Sequence, residues 1–152
     1  MTKEYIILEL IPTTSKKETG KIIQIQALKL NNLKLLDRLD IRLDESNITN
    51  PDLLAMISYD KENFTYFQDE EKLLETFKNF ISDLPLLIID NEYTKDYLKD
   101  FTNLKESIFK YLNLELTDDV FTNLINKYHL EPSNNLVDLL YEAIIYENSK
   151  GE

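Results

Sequence analysis

The segment EYIILELIPTTSKKETGKIIQIQALK, residues 4–29, is the key to how this chain folds. Tyr5-Ile6-Ile7-Leu8 is a dense apolar run rich in β-branched side chains, the pattern of a strand buried on both faces. Pro12 to Gly20 is polar and contains Pro, Thr, Ser and one of only two glycines, so it reads as a turn. Ile22, Ile23, Ile25 and Leu28 then mark a second strand. Glu9 is an acid at the C-terminal end of the first strand, where sites in α/β proteins collect.

Working outward, Asn31-Asn32 predicts a tight turn. Lys34 to Leu43 is then either a third strand paired with the second or a short helix, because Leu35, Leu36, Leu39 and Ile41 do not alternate strictly. Asn50 followed by Pro51 has the form of a helix cap and first helical position. Ser58 to Tyr66 reads as a loop or a short edge strand. Asp69 to Leu84 is an amphipathic helix: Leu73, Leu74, Phe77, Phe80, Ile81 and Leu84 share one face. Its acids Asp69, Glu70 and Glu71 complement the helix dipole. Leu86-Leu87-Ile88-Ile89 is a short buried strand, expected parallel to the first. Helices are expected over 93–101, 104–112 and 118–128, the last capped by Thr117. Pro132 breaks the chain, and Asn134 to Tyr146 forms the closing helix with Leu136, Leu139, Leu140, Ala143 and Ile144 on one face. Residues 149–152 are a polar tail expected to fray.

A length of 152 residues predicts one domain spanning 1–152. With 43% hydrophobic residues and sixteen Phe and Tyr, it has the material for a good core. There is no Cys, so disulfides and Cys-based zinc sites are excluded. No apolar run approaches the length of a membrane span, and a cytoplasmic location is expected. The net charge of −11 is uneven, with +1 over residues 1–50 and −12 over residues 51–152. Phosphate binding needs Lys and Arg, so direct nucleic-acid binding is expected to be weak or absent. A basic surface on a protein partner is the better electrostatic match. Two glycines leave no phosphate-binding loop, and a single His rules out the common zinc spacings.

The opening also resembles the DnaQ-like (DEDD-type) 3′–5′ exonucleases. That family begins with a hydrophobic strand carrying Asp-x-Glu, then Thr-Thr-Gly, then a strand of Ile-Ile-Glu-Ile-Gly-Ala-Val type. Thr13-Thr14-Ser15 and Ile22-Ile23-Gln24-Ile25-Gln26-Ala27-Leu28 follow the last two. The resemblance implies an α/β fold of RNase H-like type, a mixed sheet with its first three strands antiparallel and flanked by helices. It covers roughly residues 4–147 in element order. Its catalytic positions fall on Glu9 and Ile11 (or, with the threonines aligned without a gap, on Leu10 and Pro12), Lys95, Ser133 and Asp138, where the family has four acids and a histidine base. Asn91 matches the family's Asn ahead of the third acid, and Asp96 lies beside Lys95. The only histidine, His129, lies nine residues before Asp138 and reads as a helix-end or surface residue.

Two-metal phosphodiester cleavage needs several converging carboxylates to clamp the attacking and leaving oxygens. Ile11 and Lys95 break that set, so no functional catalytic residue and no cofactor is expected. Glu9, Asp96 and Asp138 remain as candidate metal ligands, and Lys95 is a candidate ion-pair partner for Glu9 or Asp138. Three functions follow. The first is a catalytically inactive exonuclease-like protein that binds a partner, such as a nucleic-acid-processing protein. The second is an acidic inhibitor that imitates nucleic acid, of the anti-CRISPR or anti-restriction kind. The third is a residual Mg²⁺- or Mn²⁺-dependent exonuclease using Glu9, Asp90 or Asp96, and Asp138. The oligomeric state is not legible in the sequence.

Overall fold

The computed structural model describes residues 3–44, 50–52, 64–89, 91–112, 120–131 and 135–149. Strands β1 (Glu4–Pro12), β2 (Ile22–Asn31) and β3 (Lys34–Leu43) form an antiparallel meander. The β2–β3 connection is two residues long, and Asn32 takes a left-handed φ of 54°, which Asn tolerates better than most side chains. Strands β4 (Thr65–Phe67), β5 (Leu86–Ile88) and β6 (Lys105–Ser107) are parallel to β3, β1 and β5 respectively. The six strands run in the order β4-β3-β2-β1-β5-β6.

The sheet settles the strand-or-helix question at 34–43 in favour of the strand. Its imperfect alternation has a local cause. Lys29 pairs with Asp37 and Leu30 with Leu35, so Leu36 is an extra residue in a bulge. Leu35 and Leu36 are both exposed there. Beyond the bulge the period of two is regular, and Ile41 and Leu43 are buried.

Among the described residues, five helices flank the sheet, apart from the helical pair Pro51 and Asp52. Helix α1 (Glu70–Ile81) starts at Asp69, whose side chain accepts the Lys72 N–H at 2.9 Å. It packs Leu73, Phe77 and Ile81 onto the first face, against Ile6, Leu8, Leu10, Ile23, Ile25, Ala27, Ile41 and Leu43. Helix α2 (Glu92–Tyr97) follows β5, with Asn91 as its cap. Helices α3 (Ile108–Tyr111), α4 (Val120–Tyr128) and α5 (Leu136–Ser149) bring the second core to the opposite face. There Leu136, Leu139, Leu140, Ala143 and Ile144 of α5 meet Tyr5, Ile7 and Leu30.

Two expected helices need correction. The one expected over 93–101 ends at Tyr97. The one expected over 104–112 divides into β6 and the four-residue α3. The outer edge of β5 has backbone groups to satisfy, and residues 105–107 supply them. Leu104, the first residue of that expected helix, is 61% exposed. Pro51 and Asp52 are helical, and Asn50 Oδ1 accepts the Asp52 N–H at 2.9 Å. The continuation of that helix, most of the 58–66 loop, Thr117, Pro132 and residues 150–152 lie outside the described residues. Among the described residues, no helix is long and apolar enough to cross a membrane.

Candidate functional site

Side chains alternate across a strand, so each residue of β1 belongs to one face of the sheet. Tyr5 and Ile7 lie in the second core, and Glu9 is next in that series. Its cross-strand neighbour on β2 is Gln26, whose neighbour on β3 is Asp40. The strand register therefore lays Glu9, Gln26 and Asp40 in a row across three strands. The second face turns from apolar to polar along this row.

The row is hydrogen-bonded. Gln26 Nε2 donates to Asp40 Oδ1 at 2.9 Å. Arg38 Nε donates to Asp40 Oδ2 at 2.7 Å, and Arg38 Nη1 donates to Asp138 Oδ1 at 2.9 Å. One guanidinium thus ties β3 to the first turn of α5. Asp138 is positioned there because Asn135 Oδ1 accepts its N–H at 3.2 Å, while Leu139 N–H bonds to the Asn135 carbonyl. Partial burial pulls the Arg38 pKa down, but the hydrogen bonds and charges of Asp40 and Asp138 outweigh it and leave it raised.

Glu9 has a different environment. Burial pushes its carboxyl up to about 7, so near neutrality it is close to half-protonated. Tyr93 of α2 is near enough to feel its charge. The Tyr93 hydroxyl is raised first by burial and then by Glu9, against an opposing hydrogen bond with Asn91. The aromatic ring at Glu9's end of the row therefore comes from Tyr93, two residues before the position singled out in the sequence. Lys95 is exposed on the same short helix. Asp138 has Arg38 as its ion-pair partner, a residue the sequence reading did not single out.

Asp96 is engaged elsewhere. Its Oδ2 accepts the Lys17 backbone N–H at 2.7 Å, which is the main reason its pKa is lowered, and Lys99 pairs with its other oxygen. The Tyr97 hydroxyl lies 3.0 Å from the Thr14 carbonyl and 3.1 Å from that of Lys16, and Lys17 pairs with Asp100. These contacts fasten the Thr13-Thr14-Ser15 loop to α2. The packing is close enough to require glycine at position 20, where a methyl group would fall within 3 Å of Thr13, Thr14 and Tyr97 oxygens. A cavity of about 220 Å³ sits beside this anchor, lined in part by Lys17, Glu70, Tyr97 and Asp100.

The other sequence candidates are dispersed. Ile11 lies at a register shift and packs against the first core. His129 is exposed at the end of α4 with φ 55°, and the Leu130 N–H closes back onto the Ile125 carbonyl at 3.1 Å. Ser133 and Asp90 lie outside the described residues. Among the described residues, no three of His, Asp and Glu converge as metal ligands would.

No protein-family model and no curated protein matches the chain. Solved structures of exonuclease I do match its fold. A product-bound structure of exonuclease I superposes with a TM-score of 0.64 at 11% identity, over 97% of this chain and 43% of that one. An ExoI/SSB-Ct complex gives 0.63 at 11% identity, over 96% and 40%. Exonuclease I in complex with the inhibitor BCBP gives 0.60 at 9% identity, again over 96% and 40%. The chain spans less than half the length of these proteins. What it shares with them is an exonuclease-like fold.

Proposed function

We propose that this chain is a catalytically inactive member of the DnaQ-like, RNase H-like class, a single domain that acts by binding a protein partner. The observation that carries the reading is the Arg38 guanidinium, which holds Asp138 and Asp40 together. Mg²⁺ and Mn²⁺ require oxygen ligands that are free to coordinate. Here Asp138 and Asp40 already neutralise the Arg38 cation, burial raises the Glu9 pKa and Ile11 offers no oxygen. Among the described residues, the donor set therefore does not fit a two-metal centre.

The net charge of −12 over residues 51–152 favours a partner with a basic surface, such as a nucleic-acid-processing protein. That a protein of this fold occurs in an ExoI/SSB-Ct complex is in keeping with a binding role. The same charge supports a second reading, an acidic inhibitor that occupies a basic nucleic-acid groove. Retrieval of the partner from the native host, followed by competition with DNA, separates the two: only the inhibitor is displaced by nucleic acid. Inactivity is tested with labelled single-stranded DNA and RNA in Mg²⁺ and in Mn²⁺. No shortening from the 3′ end is expected above a Glu9→Ala, Asp138→Ala control. Shortening abolished by that double substitution would instead establish a residual exonuclease.

A further inference from the structure

Arg42 lies two residues beyond Asp40 on β3, opposite Gln24 on β2, and continues the polar stretch of the second face. It is fully buried, at 0% exposure. Its Nε donates to Gln24 Oε1 at 2.8 Å, and the Phe64 ring centroid lies 3.8 Å from its Cζ. These two contacts fix the plane of the guanidinium. Nη1 and Nη2 have no hydrogen-bond partner among the described residues, nor has Oε1 of the buried Gln26. The carboxylates two residues to either side along the chain are engaged: Asp40 holds Arg38 and Gln26, and Asp44 takes a hydrogen bond from Gln68 at 3.3 Å.

Arginine does not escape burial by deprotonating, and an isolated buried charge costs several kcal/mol. A guanidinium oriented by stacking and by its Nε, with both Nη groups bare, has the form of a receptor for a bidentate oxyanion. We propose that Arg42 anchors a binding site for a small carboxylate, whose two oxygens take the Nη1 and Nη2 hydrogens. A carboxylate is favoured over phosphate because one negative charge balances one guanidinium. A doubly charged ion would add repulsion from Asp40 and from a chain of net charge −11. Gln26 Oε1, a bare acceptor on the same face, favours a carboxylate that also carries a hydroxyl donor. Phe64 covers the guanidinium face and stays in place, so the carboxylate meets Nη1 and Nη2 in the plane of the guanidinium. The site adjoins the Arg38 bridge through Gln26 but does not depend on the absence of nuclease activity.

The test is thermal melting of the full chain in acetate, lactate or inorganic phosphate, each at matched ionic strength against chloride. Acetate and lactate should raise Tm saturably by about 2–4 °C, lactate at lower concentration, and phosphate should not. Arg42→Met should abolish the response while leaving Tm in chloride equal or higher. Should that variant fail to fold, Arg42→Lys keeps the charge, loses the fork and should weaken the lactate response at least tenfold. Amide shifts of Gln24, Gln26 and Arg42 in a lactate titration give an independent reading of the location. The proposal is overturned by an unchanged Tm in both carboxylates, by a phosphate response equal to theirs, by a response that survives in Arg42→Met, or by shifts confined to other residues.

Discussion

The two faces of the sheet come from the same three strands and differ by a single step along the chain. On the first face, Ile6, Leu8 and Leu10 of β1 continue into Ile23, Ile25 and Ala27 of β2 and into Ile41 and Leu43 of β3, all beneath α1. On the second, Tyr5 and Ile7 give way to Glu9, and beside it stand Gln24, Gln26, Asp40 and Arg42. The first face is held chiefly by apolar burial, with the Ile22 N–H donating to Glu70 of α1 at its margin. The second is apolar beneath the body of α5 and polar beneath its first turn. The contrast teaches that this sheet separates its tasks by parity: one face secures the fold, and the other carries groups whose protonation and pairing can be used.

The largest expected effect lies on the first face. Phe77 is fully buried and stands edge-on to Phe101, with ring centroids 5.5 Å apart. Phe77→Ala should cost about 3–5 kcal/mol in denaturant melts. Leu140→Ala, buried under the apolar half of the second face, should cost about 2–5 kcal/mol. A near-silent Phe77→Ala would break the comparison at its base.

Next is Glu9, where the sign reverses. A carboxyl whose folded pKa lies above its unfolded value binds the extra proton only in the folded state. Its contribution is therefore most favourable below the unfolded value of 4.5 and is lost as pH rises toward about 7. Glu9→Gln should stabilise the protein above pH 7, by at most about 3 kcal/mol. It should have almost no effect near pH 4. Equal effects at both pH values would show that Glu9 is not held in a burying environment.

The smallest effect belongs to Arg38. It and Asp138 are both more than a third exposed, so solvent screens their ion pair. Arg38→Met should cost about 1 kcal/mol or less. The more informative readout is local: the amide and side-chain shifts of Gln26, Asp40 and Asp138 should move once the guanidinium that joins this row is gone, most at Asp40, whose side chain is only 11% exposed. Unmoved shifts at these three residues would mean that the bridge does not govern the row.

Much of this was legible in residues 4–29. The buried run 5–8 and the pattern at 22–28 place β1 and β2, and the resemblance to exonucleases predicted the order of the meander and the position of β5 beside β1. Helices α1 and α5 were legible because their apolar faces repeat at helical spacing over several turns. Strand β6 was not, because three residues at an edge take their identity from the neighbour they pair with rather than from local pattern. The candidate site was half-legible. Glu9 and Asp138 stand out as acids at the end of a strand and the start of a helix. Arg38, Asp40 and Gln26 become part of the same site only through β2–β3 register, which a bulge at Leu36 shifts by one residue. Once 34–43 is taken as a strand, the alternation of Arg38, Asp40 and Arg42 is the signal that would have found them.

The central claim is that Arg38 supplies, within the protein, the positive charge that the acids of this face require. Paramagnetic line broadening by Mn²⁺ in amide spectra tests it most directly. In the unmodified protein, millimolar Mn²⁺ should not selectively broaden the amides of Glu9, Gln26, Asp40 and Asp138 relative to exposed acids elsewhere. Selective broadening of those four at low Mn²⁺, relieved by excess Mg²⁺, would contradict the account.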